Sequence, residues 1–255
     1  MYDFVHIVEH SSFSNLAIYS VGQAGFIIKS KSGKLIGIDL YLSDCVRAVE
    51  GHDGFDRLLP KILRPSDLRF DVIIATHFHR DHFDVDSMAE LMSTGSPELF
   101  CAYDCENDVD ALGIDRNRVH FVKPLDIYDF KGITLEFVEC DHGDGAPLAV
   151  GVIITVDGKR IYETGDTCLR LDRVPQCLKN GAIDILIAPI NGAYGNMDEY
   201  ECAQFAKAVN PKVTIPCHYG MFASHFGQPG LFIEEMRHLG IKYKLLGFGE
   251  GFEIN

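Results

Sequence analysis

The chain has 255 residues, 47% of them hydrophobic, enough to bury a full core without disulfide or metal staples. Its 23 Lys and Arg against 37 Asp and Glu leave a formal charge of −14, which opposes broad attraction to nucleic acid or anionic lipid. No run of about 18 apolar residues is present to span a membrane, and residues 1–10 lack the charged-then-apolar order of a secretory signal. With eight scattered cysteines and no C-x-x-C pair, the expected setting is the reducing cytoplasm.

In chain order, strands joined by Gly turns are predicted at residues 16–19, 25–28 and 35–39. Residues 43–68 carry Pro60 and Pro65 with only a short helical pattern over 55–63, and read as a lid or insertion. Its Arg47, Arg57, Lys61 and Arg64, with Arg69 just beyond it, suit either an anionic substrate or a solvated charged face. Strands at 72–76, 99–102 and 119–122 then alternate with helices at 86–92 and 104–112. Strands follow at 133–139, 149–156 and 160–164, the last two joined by the hairpin signal Asp157-Gly158. Alternation returns with strand 183–188, helix 198–209, strand 213–215, helix 231–239 and short closing strands to 252. Two halves of this kind suit a four-layer αββα sandwich, two mixed sheets with helices outside, counted as one domain over 1–255.

Thr76-His77-Phe78-His79-Arg80-Asp81-His82 directly follows the β-branched run Val72-Ile73-Ile74. In extended backbone residues two apart point the same way, so His77 and His79 can face one cation while Phe78 packs elsewhere. Once the chain turns, Asp81 and His82 can reach a second. Imidazole and carboxylate suit zinc, manganese or iron, and two such ions can clamp a hydroxide between them. With 11 His in the chain, a chance match to His-x-His-x-Asp-His is on the order of one in a thousand.

Further candidate ligands stand beside glycines at strand ends: His142 in Asp141-His142-Gly143, Asp166 in Gly165-Asp166-Thr167, and His218 in His218-Tyr219-Gly220. Each alone reads as readily as a turn residue; their order in the chain supplies the specificity. Cys140 and Cys217 neighbour these candidates but read as buried structural thiols. His6, His10, His52, His120 and His238 read as surface or helix residues.

The order His-x-His-x-Asp-His, His, Asp, His resembles the metallo-β-lactamase superfamily over essentially the whole chain. Gly22-Gln23-Ala24-Gly25-Phe26, Asp39-Leu40-Tyr41-Leu42-Ser43-Asp44, Pro189-Ile190-Asn191-Gly192 and Pro216-Cys217-His218-Tyr219-Gly220 are similar to the branch that contains ascorbate-6-phosphate lactonase. The resemblance implies the αββα fold. It also implies one metal on His77, His79 and His142, a second on Asp81, His82 and His218, and Asp166 as bridge.

The expected chemistry is hydrolysis by a metal-activated hydroxide, with Asp81 also relaying a proton to the leaving group. Asn191, Tyr194, Tyr219 and His225 are candidates for substrate contacts. Thr76, Asp141 and Thr167 are candidates to orient the imidazoles through their other ring nitrogen. The expected cofactors are two divalent ions, zinc or manganese first and iron next. The expected partner is a small anionic metabolite such as a phosphorylated sugar lactone, with no nucleic acid or membrane; a homo-oligomer is compatible. Rival readings are a phosphodiesterase of the same fold, an amidohydrolase barrel, a di-iron redox protein and a metal-stabilised binding protein. An all-strand opening argues against the barrel, and no chain length remains for an electron-carrying domain. Seven candidate ligands, more than a closed structural site takes, favour catalysis over a binding role.

Overall fold

Short β-branched and aliphatic runs set the architecture of the computed structural model, which describes residues 4–11, 13–51 and 53–254. His52 lies outside the described residues. Two compact units result, one of residues 4–121, 221–223 and 246–254, the other of residues 122–220 and 224–245.

In the first unit, strands β1 (Ala17–Gly22), β2 (Gly25–Lys29) and β3 (Leu35–Ile38) form an antiparallel meander. Strands β4 (Val72–Ala75), β5 (Glu98–Ala102) and β6 (Val119–Val122) extend it, with β3, β4 and β5 parallel. Every residue of β4 is buried, as expected for a strand inside a parallel stretch covered on both faces. Helices α1 (Phe4–His10), α2 (Cys45–Glu50), α3 (Met88–Ser93) and α4 (Glu106–Ala111) belong to this unit. Phe4 and Val8 of α1, Met88, Leu91 and Met92 of α3, and Val109 of α4 join Tyr19, Ile27, Ile73 and Leu99 in one apolar core. Truncating such a side chain to alanine costs about 2–5 kcal/mol.

Helix α1 precedes β1, so the expected all-strand opening is not realised; α2 also lies where no helix is predicted, and the helical pattern over 55–63 is not realised. A single 3₁₀ turn, Asp53–Phe55, precedes irregular chain. Pro60 has no N–H to give a helix, the Leu58 N–H donates to the Met221 carbonyl, and the Arg57 guanidinium holds the carbonyls of Tyr41 and Ser43. The other basic groups of the segment largely pair within it: Arg47 with Asp53 and Asp56, Lys61 with Asp44, Arg64 with Asp67.

The second unit carries β7 (Ile127–Phe130), β8 (Ile133–Glu139), β9 (Val150–Val156), β10 (Lys159–Glu163), β11 (Ile185–Pro189) and β12 (Val213–Cys217) in one mixed sheet. β7 to β10 are antiparallel, whereas β10, β11 and β12 run parallel. Helices α5 (Val174–Cys177), α6 (Glu199–Val209) and α7 (Pro229–His238) follow. Asp198 and Glu201 close a reciprocal capping box at the start of α6, satisfying two otherwise orphaned donors, and Pro229 opens α7 where its missing N–H costs nothing. Phe205 and Ala206 of α6, Phe232 and Met236 of α7, and Leu186 and Ala188 of β11 share this unit's core. Back in the first unit, β13 (Gly251–Glu253) pairs antiparallel with β1. Two mixed sheets, each with helices, are the composition expected from the sequence. His6, His10 and His238 are exposed on helices and His120 is half-buried on β6.

One carboxyl in the first unit is set for a pH effect. Burial beside α4 raises Asp104 to about 6, well above the usual carboxylate. Between about pH 4 and 6 the unfolded chain gives up this proton while the folded chain keeps it, so this group's contribution to stability falls as pH rises through that window. Asp104→Asn is expected to stabilise the protein above pH 6 by about 1 kcal/mol, the full shift being reduced by solvent screening of this part-exposed group, and to flatten that part of the curve. Urea denaturation of both proteins from pH 4 to 8 measures the difference.

Candidate functional site

Parallel register aligns the carboxyl ends of β3 and β4 in the first unit. Ile38 pairs with Ile74 and the Asp39 N–H donates to the Ile74 carbonyl, so Asp39 and Thr76 leave their strands side by side. The Asp39 carboxylate, fully buried, accepts from the Thr76 N–H at 2.8 Å, the Thr76 hydroxyl at 2.7 Å and His82 Nδ1 at 2.7 Å.

These bonds choose the tautomers. With its own proton given to Asp39, Thr76 Oγ1 accepts from His77 Nδ1 at 3.0 Å, and His82 Nδ1 carries the proton toward Asp39. Both rings therefore present Nε2 as a lone pair, the form that binds a metal. His77 Nε2 lies 3.0 Å from His79 Nδ1. His82 Nε2 lies 3.7 Å from Asp81 Oδ2, and that same oxygen accepts from the Gln23 amide at 2.8 Å. Phe78 packs into the apolar core, leaving the histidines on either side of it for the other face.

The second unit repeats the device at the ends of β10, β11 and β12. Asp166, Asn191 and His218 each follow one of these strands closely, with Glu163 of β10 paired to Ile187 of β11 and Pro189 of β11 to Cys217 of β12. Asp166 Oδ2 lies 3.0 Å from His218 Nε2 and 3.8 Å from His142 Nε2, and accepts from Asn196 Nδ2 at 2.9 Å. His218 adopts φ +58°, a strained value of the kind that persists where surrounding structure holds it for a purpose.

The loop that bears His142 is anchored from behind. Cys168 N–H donates to the Asp141 carbonyl, the Asp141 N–H donates to Thr167 Oγ1, and the Asp141 carboxylate pairs with Arg170 and Arg173. The Arg170 contact holds the Asp141 carboxyl below the usual range. Cys140 donates its thiol to the Asp166 carbonyl at 2.9 Å; burial pushes its pKa well up, keeping it a neutral thiol. Among the described residues, every His, Cys, Asp or Glu placed in a metal-competent group is one of His77, His79, Asp81, His82, His142, Asp166 and His218.

Around His218, the His225 ring lies 5.6 Å away, and Tyr194 meets His225 edge-on at 5.2 Å. Tyr194 is largely exposed. Asn191 buries both side-chain polar atoms without a hydrogen-bond partner. Tyr219 packs against the apolar core of its unit.

Three residues to which the sequence assigns no role bond to candidate ligands or to the group between them. Asp39 and Gln23 act on residues 37 to 58 positions away, and Asn196 on one 30 positions away. Gln23 and Asp39 stand in the motifs Gly22-Gln23-Ala24-Gly25-Phe26 and Asp39-Leu40-Tyr41-Leu42-Ser43-Asp44 that carry the resemblance, and Asn196 follows Gly195 in a turn.

The family described as Beta-lactamase superfamily domain matches residues 17–218. A UPF0173 metal-dependent hydrolase of Carboxydothermus hydrogenoformans is 28% identical over 198 residues, 74% of this chain and 84% of that protein. A relative of the same description from Sulfurisphaera tokodaii is 29% identical over 199 residues, 76% and 86% of the two chains. Among solved structures, Igni18, a metallo hydrolase of Ignicoccus hospitalis, superposes with a TM-score of 0.74 at 22% identity, covering 94% of this chain and 99% of that one. The chain thus belongs to the beta-lactamase superfamily domain family and has the metallo-β-lactamase fold, the fold of metal-dependent hydrolases.

Proposed function

We propose that this chain, a metal-dependent hydrolase by family, holds two divalent ions with His77, His79, Asp81, His82, His142, Asp166 and His218, and hydrolyses a small anionic metabolite such as a sugar lactone or its phosphate. The observation that carries the reading is a pair of buried imidazoles, His77 and His82, each tied through Nδ1 so that its Nε2 lone pair is presented forward. Three donors turned toward one another in the second unit, Asp166, His142 and His218, fit the same purpose. An all-imidazole and carboxylate set without thiolate suits zinc or manganese, with iron next.

Bound there, divalent ions would supply an activated hydroxide at neutral pH and polarise the electrophile's oxygen. Asp81, held at Oδ2 by Gln23, is suited to pass a proton to the leaving group. Asn191, Tyr194, Tyr219 and His225 are assigned to substrate. Asn191 is the strongest of these, since buried amide atoms without partners await a ligand's hydrogen bonds. A charge of −14 favours a small substrate held by specific groups over a nucleic acid or a membrane. A cytoplasmic setting completes the reading: all eight cysteines are free thiols, and no helix among the described residues is long and apolar enough to cross a membrane.

Metal analysis of the purified protein is expected to return two equivalents of transition metal. Acid release from a panel of sugar lactones and their phosphates is expected to exceed turnover of an aryl phosphodiester by at least about tenfold, a difference of about 1.4 kcal/mol in barrier. Preference for the diester would sink the lactone assignment, and absence of metal would sink the mechanism.

A further inference from the structure

We propose that Gln23 is a positioning residue for Asp81, holding the carboxylate oxygen that faces His82 in the orientation a metal requires. This rests on the assignment of Asp81 as a ligand.

Gln23 and Ala24 are the two residues that link β1 to β2, and Gln23 adopts φ +54°. Glycine or asparagine takes that conformation at least cost, and a long side chain gains nothing from it locally. The turn is also closed in. A Cβ at Gly22 would meet Met221 Cε at 2.7 Å, and one at Gly25 would meet Val21 Cγ2 at 2.5 Å. Gln23 itself is only 4% exposed. A buried primary amide in a strained backbone is doubly unfavourable unless its hydrogen bonds are used.

Its use is specific. Gln23 Nε2 donates at 2.8 Å to Oδ2 of Asp81, the oxygen that lies 3.7 Å from His82 Nε2. A carboxylate oxygen has two lone pairs. A hydrogen bond from the amide restricts the carboxylate's rotation and fixes the direction this oxygen presents beside His82 Nε2. His82 is oriented from behind by Asp39, so each of these two donors has its own tether, and Gln23 is the tether of the carboxylate.

The test compares zinc binding, by calorimetry on the metal-free protein, for wild type, Gln23→Gly, Gln23→Met and Asp81→Ala, alongside the melting temperature of each metal-free protein. Gln23→Met keeps the bulk of the side chain without the amide; Gln23→Gly relieves the backbone as well. Both are expected to weaken one of the two zinc equivalents by about 10- to 100-fold, to leave the other within about twofold, and to melt near wild type without metal. Wild-type affinity in Gln23→Met would show that the side chain only fills space and would overturn the proposal, as would affinity losses that track equal losses of metal-free stability. If Asp81→Ala weakens binding and neither Gln23 variant does, this proposal alone fails. If Asp81→Ala binds zinc as wild type does, the ligand assignment beneath it fails too.

Discussion

Asp166→Ala is expected to lower metal content and to cut kcat/KM by about a thousandfold or more, on the order of 4 kcal/mol of transition-state stabilisation. The expectation comes from the crowd around one oxygen: His218 Nε2 at 3.0 Å, His142 Nε2 at 3.8 Å and the Asn196 amide at 2.9 Å. Removing the carboxylate leaves two imidazoles without the negative charge between them and strands the Asn196 amide. The fold should survive, because Asp166 lies in the loop after β10 rather than in the core. Elemental analysis and turnover on the same preparation check the result. A variant that keeps both metals and full activity would show that the reacting centre lies elsewhere.

Asp39 carries the second large effect, and here stability moves as well. Its buried carboxylate takes three hydrogen bonds, from the Thr76 N–H, the Thr76 hydroxyl and His82 Nδ1. Asp39→Ala leaves all three donors buried without that acceptor, a loss expected to cost about 3–5 kcal/mol. Asp39→Asn is the more informative variant. Its amide keeps the shape but has one acceptor oxygen: an N–H₂ in place of Oδ1 confronts the Thr76 N–H, and in place of Oδ2 it confronts the Thr76 hydroxyl and His82 Nδ1 together. If it drives His82 into the other tautomer, Nε2 carries the proton and cannot bind a cation, so zinc affinity should fall by about 10- to 100-fold. Denaturation of the metal-free protein separates the two contributions. Wild-type stability together with wild-type zinc affinity in Asp39→Asn would contradict the orienting role.

What could be read along the chain was what repeats at short range. Val72-Ile73-Ile74 announces a buried strand because branched side chains at consecutive positions fit a parallel sheet, and the meander before it is written in Gly turns. His77, His79, Asp81 and His82 stand out because ligand chemistry crowds into six residues directly after a buried strand, although the structure bends there rather than continuing β4. What depended on distant chain was silent. The run at 55–63 has a helical pattern, yet its Leu58 N–H is claimed by the Met221 carbonyl and its Arg57 side chain by the carbonyls of Tyr41 and Ser43, and tertiary contacts overrode local propensity. Strand β7 escaped notice because Ile127–Phe130 alternates exposed and half-buried residues around Asp129, giving a weak apolar signal. Gln23, in a Gly turn, and Asp39, at the end of the predicted strand 35–39, are silent for the same reason: nothing within a window of a few positions reveals which side chain each will hold.

Strand β13 sets the order in which the first sheet can be finished. Ala17 of β1 pairs with Glu253, and the Glu253 carboxylate also takes the N–H groups of Ser14 and Asn15, contacts that span nearly the whole polypeptide. During synthesis β1 emerges long before its outer partner, so its free side must wait with unpaired amides and carbonyls until residues 251–253 have been added. Such late, long-range closure slows assembly and leaves a sticky intermediate in the interval. Yield during expression should therefore respond more to chaperone supply than the tight interior of the finished protein would suggest.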